Sequence, residues 1–235
     1  MSQLGGESRA RYVEAMFSRI VPRYDLMNAL MSLGQDRHWR DLTVDGVCLR
    51  PGARALDVAT GTGELALELA RRGATLVVGL DFTAAMLAAA REKAAARGLD
   101  SVRFVAGDAL ALPFEDASFD AVTVGFGLRN VSDLPRALAE MARVLRPGGR
   151  MACLELTHSP VRPFALASRP YLYGVVPLLG SIVAGNREAY TYLPESVERF
   201  PAAPRLAAMM RAAGFREAGY RLLNFGTVAI HVGVR

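Results

Sequence analysis

The chain has 235 residues, of which 51% are hydrophobic and 22% charged, and a net charge of +5. That composition supports one globular domain with a full core and excludes a disordered chain. Only two cysteines, Cys48 and Cys153, are present, which excludes a disulfide scaffold and favours a reducing compartment. Met1–Ala10 is polar, so no secretory leader is expected, and no stretch reaches the ~20 apolar residues that span a bilayer.

The elements follow in chain order. Arg9–Ile20 carries Tyr12, Val13, Met16, Phe17 and Ile20 at helical spacing, and Pro22 interrupts it. Tyr24–Ser32 and Asp36–Val47 are two further helical stretches. From Pro51 the pattern alternates: strand Ala53–Ala59, helix Glu64–Arg72, strand Thr75–Asp81, helix Thr83–Arg97 capped by Thr83 and ended by Gly98, and strands Val102–Ala106 and Asp120–Val124. Asp133–Leu145 is a helix ended by the turn Arg146-Pro147-Gly148-Gly149, and Met151–Leu156 is the fifth strand. Pro160–Asn186 is apolar but broken by Pro163, Pro170 and Pro177. Pro204–Ala213 is a helix, and Glu217–Leu223 with Thr227–Val234 forms an antiparallel pair. Such alternation makes an α/β fold, a doubly wound parallel sheet covered by helices on both faces.

Charge is unevenly spread: residues 1–54 carry +2, residues 55–158 carry −2 and residues 159–235 carry +5. A basic tail suits an anionic membrane surface or a solvated face. No long Lys/Arg run and no zinc-ligand spacing occurs, so neither nucleic acid nor a metal is expected. Lys93 is the only lysine.

The first strand and its turn read Leu56-Asp57-Val58-Ala59-Thr60-Gly61-Thr62-Gly63-Glu64. Gly61 and Gly63 permit a tight turn and close backbone approach to a ligand at the carboxyl edge of the sheet. The same two glycines also suit a purely structural loop. Asp81 closes the second strand, where a carboxylate can accept from both ribose hydroxyls, and Asp108 closes the third, within reach of an adenine edge. Asp57 would repel a pyrophosphate but suits the ammonium and sulfonium of S-adenosylmethionine. On these residues alone, a nucleotide-dependent oxidoreductase and a non-catalytic nucleoside binder remain open alternatives.

The loop from Asp57 to Gly63 resembles the first motif of the class I methyltransferases. Four further stretches narrow the resemblance: Tyr24-Asp25-Leu26-Met27-Asn28, Phe126-Gly127-Leu128-Arg129-Asn130, Leu145-Arg146-Pro147-Gly148-Gly149 leading to Leu154-Glu155-Leu156, and Tyr192-Leu193-Pro194-Glu195-Ser196. Together they resemble the ubiquinone/menaquinone biosynthesis C-methyltransferase family, most closely its demethylmenaquinone methyltransferases, from about Tyr24 to the C-terminus. The resemblance implies a Rossmann-like, seven-stranded sheet with its last strand antiparallel and N-terminal helices. It implies a cap over residues 1–50, a methyltransferase domain over 51–235 and a substrate-covering insertion over 159–200, effectively one domain.

The implied reaction is methyl transfer from S-adenosylmethionine to a ring carbon of a polyprenylated quinol, either a naphthoquinol or a benzoquinol. The family's cofactor positions fall on Thr62, Asp81, Asp108, Ala109 and, through backbone, Gly125, beside Asp57, Gly61 and Gly63. Arg129 is expected to stabilise the quinol oxyanion or polarise a water, or else merely to pair with a helix end. Asn130 is expected to orient that water. Tyr24 and Asp25 are expected to close over the site, or to form a capping turn. His38, His158 and His231 are not grouped by any spacing. Tyr171–Gly185 reads equally as core and as a lipid-facing lid. A cytoplasmic location, a peripheral contact with the inner face of the cell membrane and a homodimer are the matching expectations.

Overall fold

The computed structural model describes residues 6–161, 163 and 169–235. Three helices, α1 (Gly6–Ile20), α2 (Tyr24–Ser32) and α3 (Gln35–Gly46), lead into β1 (Arg54–Val58), α4 (Glu64–Arg71), β2 (Leu76–Asp81), α5 (Ala84–Ala96), β3 (Val102–Ala106) and β4 (Phe119–Gly125). Then come α6 (Leu134–Val144), β5 (Leu145–Leu156), a π-helical turn (Tyr171–Val175), α7 (Val176–Ala184), α8 (Arg187–Arg199), α9 (Ala203–Ala212), β6 (Arg216–Leu223) and β7 (Val228–Val234). The seven strands form one sheet in the order β3-β2-β1-β4-β5-β7-β6. β1 pairs in parallel with both β2 and β4, whereas β7 runs antiparallel to β5 and β6. The expected fold class therefore holds, with β7 as the single reversed strand.

Both faces of the central sheet are buried, which is why β1, β2 and β4 are largely apolar runs, whereas the edge strand β6 is mostly exposed. On one face Leu56, Val58, Val122 and Val124 pack with Leu138 and Met141 of α6 and Leu206 and Met210 of α9. On the other, Ala55, Val77, Ala121 and Ala152 pack with Val44 of α3, Leu65 and Leu69 of α4, and Leu87 and Ala90 of α5. A separate core joins Val13, Met16 and Ile20 of α1 and Met27 of α2 to Val176 of α7 and Tyr190 and Tyr192 of α8. Thus α1 and α2 share a layer with α7 and α8, while α3 packs on the sheet.

Three local expectations need correction. Thr83 stands at the N-cap of α5, but its side chain makes no capping hydrogen bond; the Asp81 carboxylate accepts from the Thr83 N–H instead, at 2.9 Å. The Arg146–Gly149 segment is not a free turn before a later strand. β5 begins at Leu145 opposite Phe119, and pairing resumes at Arg150 opposite Ala121, so these residues bulge out of the ladder. Pro147 has no N–H to give the ladder, and Gly148 has φ +79°. Tyr171–Ala184 is helical despite Pro177, whose missing N–H falls where the π-helical turn Tyr171–Val175 passes into α7 and the hydrogen-bond ladder changes spacing. Helix α8, which has no counterpart among the sequence expectations, spans Pro194, and Asn186 caps it by accepting from Ala189 N at 3.1 Å. No described helix is long and apolar enough to cross a membrane.

Candidate active site

Strands β1 and β4 are neighbours whose following helices lie on opposite faces, so a crevice opens beyond their carboxyl ends. The β1–α4 loop enters it with Gly61 at φ +54° and Gly63 at φ +87°. The two glycines have different work. Gly61 lines the crevice beside Tyr24. Gly63 does not face it: an added Cβ would lie 3.0 Å from both Ala90 Cβ and Phe104 Cζ, so this glycine lets the loop close onto α5.

Asp57 is buried, and its two oxygens accept from the hydroxyls of Thr60 (2.6 Å) and Thr123 (2.7 Å). It ties the loop to β4. Burial pushes its carboxyl up to about 6, against the two threonine hydroxyls, with the Asp81 charge adding to the rise. Asp81, also buried, accepts from the N–H of Gly61 at 2.8 Å and of Thr83 at 2.9 Å. Burial raises its pKa while those two N–H groups oppose the rise. Asp108 is exposed and accepts from Leu110 N at 2.9 Å. Gly61, Asp81, Asp108, Ala109 and Gly125 all line one cavity of about 190 Å³, together with Tyr24 and Asn130. Phe82, Thr83 and Met86 line the same cavity.

Thr62 and Asp57 lie instead around a smaller recess of about 40 Å³, with Gly61, Gly125 and Tyr24. The Thr62 hydroxyl donates to Asp25 Oδ1 at 2.7 Å. Asp25 Oδ2 meets Lys93 Nζ at 2.5 Å, and Lys93 also reaches Glu64 at 2.8 Å. The sole lysine thus ties the start of α2 to α4 and α5, so Asp25 fastens the N-terminal layer onto the loop. Arg40 lines the same recess, held by Asp36 at 2.7 Å. Sequence reasoning missed Arg40, because an arginine four residues after an aspartate on a helix reads as an ordinary surface pair.

A larger cavity of about 540 Å³ adjoins the first. Phe17, Tyr24, Phe126 and Asn130 line both, so the two meet there. Its walls are mostly apolar and aromatic, including Met16, Trp39, Tyr171, Val176 and Tyr190. Phe126 takes φ +56°, a strained conformation for a bulky residue, at the turn that follows β4. Tyr24 borders all three spaces. Burial raises its pKa, opposed by the nearby Arg129, so the phenol stays protonated near neutrality.

Arg129 lines the larger cavity, but its charge is already met. Nη1 donates at 2.6 Å to both Glu155 Oε1 and the Phe126 carbonyl. Glu155 also accepts from the backbone N–H of Arg129 at 3.3 Å and of Leu156 at 2.9 Å. The side chains are 8% and 1% exposed, a buried ion pair between the β4 turn and β5. Nη1 thus meets Glu155 on β5 and the Phe126 carbonyl. Asn130 Oδ1 accepts from the Tyr192 hydroxyl at 3.3 Å, linking the same turn to α8. Of the histidines, only His158 lines this cavity. His38 is exposed, and His231 is buried with Nε2 3.0 Å from the Ala203 carbonyl, its pKa pushed down by burial.

Comparison with known proteins bears on this arrangement. The model of the ubiE/COQ5 methyltransferase family matches residues 5–235. A Thermus thermophilus protein named demethylmenaquinone methyltransferase is 55% identical over 94% of this chain and 100% of its own. A Dinoroseobacter shibae protein named ubiquinone/menaquinone biosynthesis C-methyltransferase UbiE is 44% identical over 97% of this chain and 92% of its own. Among solved structures, a Thermotoga maritima SAM-dependent methyltransferase, described as a possible histamine N-methyltransferase, superposes with a TM-score of 0.63. It is 21% identical and covers 94% of this chain and 98% of its own, a likeness of fold.

Proposed function

The chain belongs to the ubiE/COQ5 methyltransferase family, and on that premise we propose that it transfers a methyl group from S-adenosylmethionine to a ring carbon of demethylmenaquinol, forming menaquinol. The observation that carries the reading is the meeting of two unlike cavities at Tyr24, Phe126 and Asn130. One is small and edged by strand-end aspartates; the other is large, apolar and aromatic. The name of the Thermus relative, 55% identical over its full length, supports the choice of quinol.

S-adenosylmethionine, when bound, supplies an electrophilic methyl on a sulfonium. Asp81 is positioned to hold the ribose hydroxyls, and the Asp108–Ala109 pair the adenine edge. Gly61 and Gly125 admit the ligand to their backbone, while Thr62 and Gly63 shape the loop around it. In the small recess Arg40 meets a carboxylate and Asp57 offers negative charge to an ammonium, a pairing suited to an amino-acid zwitterion. Tyr24 and Phe126 hold the quinol ring against the transferring methyl, and such orientation is worth ~7–11 kcal/mol of barrier. Asn130 hydrogen-bonds the quinol oxygen or the water that takes its proton, and the Arg129–Glu155 pair fixes the turn from which Asn130 acts. The ring carbon would gain the methyl, leaving the donor as a neutral thioether, and give up its proton to a water held by Asn130. The layer of α1, α2, α7 and α8 covers the substrate, and the protein works from the cytoplasm at the inner face of the cell membrane.

The test incubates purified protein with S-adenosylmethionine and either reduced demethylmenaquinol or a demethylated benzoquinol, and analyses products by mass spectrometry. The expected result is a naphthoquinol product one methyl heavier. Methylation of the benzoquinol alone would overturn the choice of substrate, and no methylated product from either would overturn the reading.

Cofactor binding should depend on pH through Asp57. Its carboxyl titrates at about 6 in the free protein, and a ligand bearing ammonium and sulfonium favours the ionised form. Affinity for S-adenosylmethionine should therefore rise as pH rises through about 6 and level off above it. Isothermal calorimetry across pH 5–8, with Asp57→Asn as the comparison, measures it. The same pH slope in the variant would assign the effect to another group.

A further inference from the structure

The solvent-facing sides of two helices in contact are apolar. On α2 the outward stripe is Leu26, Leu30 and Leu33; ahead of and along α7 it is Val175, Leu178 and Ile182. Leu33 is 84% exposed and Ile182 72%. In α2 the opposite side is the one that packs inward, through Met27 and Met31, and in α7 through Val176 and Gly180. Amphipathic helices of a water-soluble surface face the other way. α7, Val-Pro-Leu-Leu-Gly-Ser-Ile-Val-Ala, carries no charge, and the single charge of α2, Asp25, is turned to Lys93.

Arginines frame this face. Exposed Arg23 precedes α2, exposed Arg37 lies in the first turn of α3, past the left-handed link Leu33–Gly34, and exposed Arg169, 3.9 Å from Glu198, precedes the turn that leads into α7. The same helices also wall the large cavity: Met31 and Ser32 of α2 line it, as do Tyr171, Leu172 and Val176. The Tyr171 hydroxyl donates to the Met31 carbonyl at 2.9 Å, joining the two elements at that wall.

We propose that the outward faces of α2 and α7, with the arginines beside them, form a docking surface for an anionic bilayer, from which the large cavity takes its lipid substrate. An apolar stripe buried into the acyl boundary with guanidinium groups at headgroup level is the arrangement that binds such a surface. The inference rests on the reading of the substrate as a polyprenylated quinol, because only a lipid-dissolved substrate requires a cavity walled by the docking helices.

The experiment uses the full chain and vesicles of phosphatidylcholine with phosphatidylglycerol, read by co-sedimentation. The doubly substituted protein Leu33→Glu, Ile182→Glu should bind roughly tenfold less or weaker, since both side chains are exposed and neither lines a cavity. Arg23→Gln with Arg37→Gln should lose the preference for the anionic lipid and its salt sensitivity. Turnover of a long-tailed quinol in vesicles should fall with vesicle binding in the Glu variant, while turnover of a short-tailed quinol in solution stays unchanged. Unchanged vesicle binding in the Glu variant would overturn the proposal. A dimer seen by sedimentation velocity and abolished by these substitutions, with no vesicle binding by the parent chain, would assign the face to a second copy and overturn it too. Vesicle binding without methylation of either quinol would count against the substrate reading while leaving the docking surface standing.

Discussion

Replacing Asp81 with alanine should weaken S-adenosylmethionine binding by about 10²-fold without unfolding the domain. The carboxylate stands at the end of β2 and borders the smaller cavity with Asp108 and Ala109. Hydrogen bonds between a charged acceptor and ribose hydroxyls contribute ~1.5–3 kcal/mol each, so losing two costs ~3 kcal/mol or more, at least about a hundredfold. Alanine also strips the Gly61 and Thr83 N–H groups of their acceptor, which loosens the loop that the ligand must meet. Asp81→Asn keeps the shape and one acceptor, and should fall between the two. Calorimetry measures the affinity, and thermal melts without ligand report the fold. Undiminished affinity in the alanine variant would remove Asp81 from the cofactor site.

Arg129→Ala should damage stability as well as turnover. The guanidinium is the ion partner of Glu155, and the carboxylate is 1% exposed. Removing one member of a buried pair leaves an uncompensated charge and typically costs ~3–5 kcal/mol, which in a chain of this size lowers Tm by about 10 °C. Pairing Arg129→Met with Glu155→Gln removes both charges and should recover most of that loss. The paired variant then isolates the chemistry. If a fixed positive group on the cavity wall aids the developing oxyanion, single-turnover methyl transfer at saturating ligands should remain ~10²–10³-fold slow in the refolded pair, with cofactor affinity little changed. A pair with restored stability and full rate would make Arg129 and Glu155 a purely structural clamp. Loss of cofactor binding with an intact chemical rate would move Arg129 to the cofactor pocket.

Much of the site was legible in the residues because a parallel sheet brings the ends of its strands to one edge. Once Asp57, Asp81 and Asp108 stand at the ends of apolar runs, their convergence follows from topology, and the glycines of the following turn announce a close backbone approach. The Tyr24 and Phe126–Asn130 stretches carried the family resemblance, and Tyr24, Phe126 and Asn130 all border the place where the two cavities meet. Helix α8 was not legible in the sequence: it contains Pro194, and the packing of Tyr190 and Tyr192 into the layer with α1 and α7 holds it.

Spacing along the chain determined the order of strands and helices, the doubly wound class and the acids at the sheet's edge. Those properties depend on periodicity and on turns, which act between neighbours. Tertiary structure alone decided where each polar side chain spends its hydrogen bonds. Asp57 turned to Thr60 and Thr123, Thr62 turned to Asp25, and Gly63 turned to α5 rather than to the crevice. Arg129 found Glu155 because β4 and β5 lie side by side, with Gly125 opposite Leu154. Pairings between residues 26 or 37 positions apart are set by strand register and helix docking, and buried charges must then take whichever partner that geometry supplies.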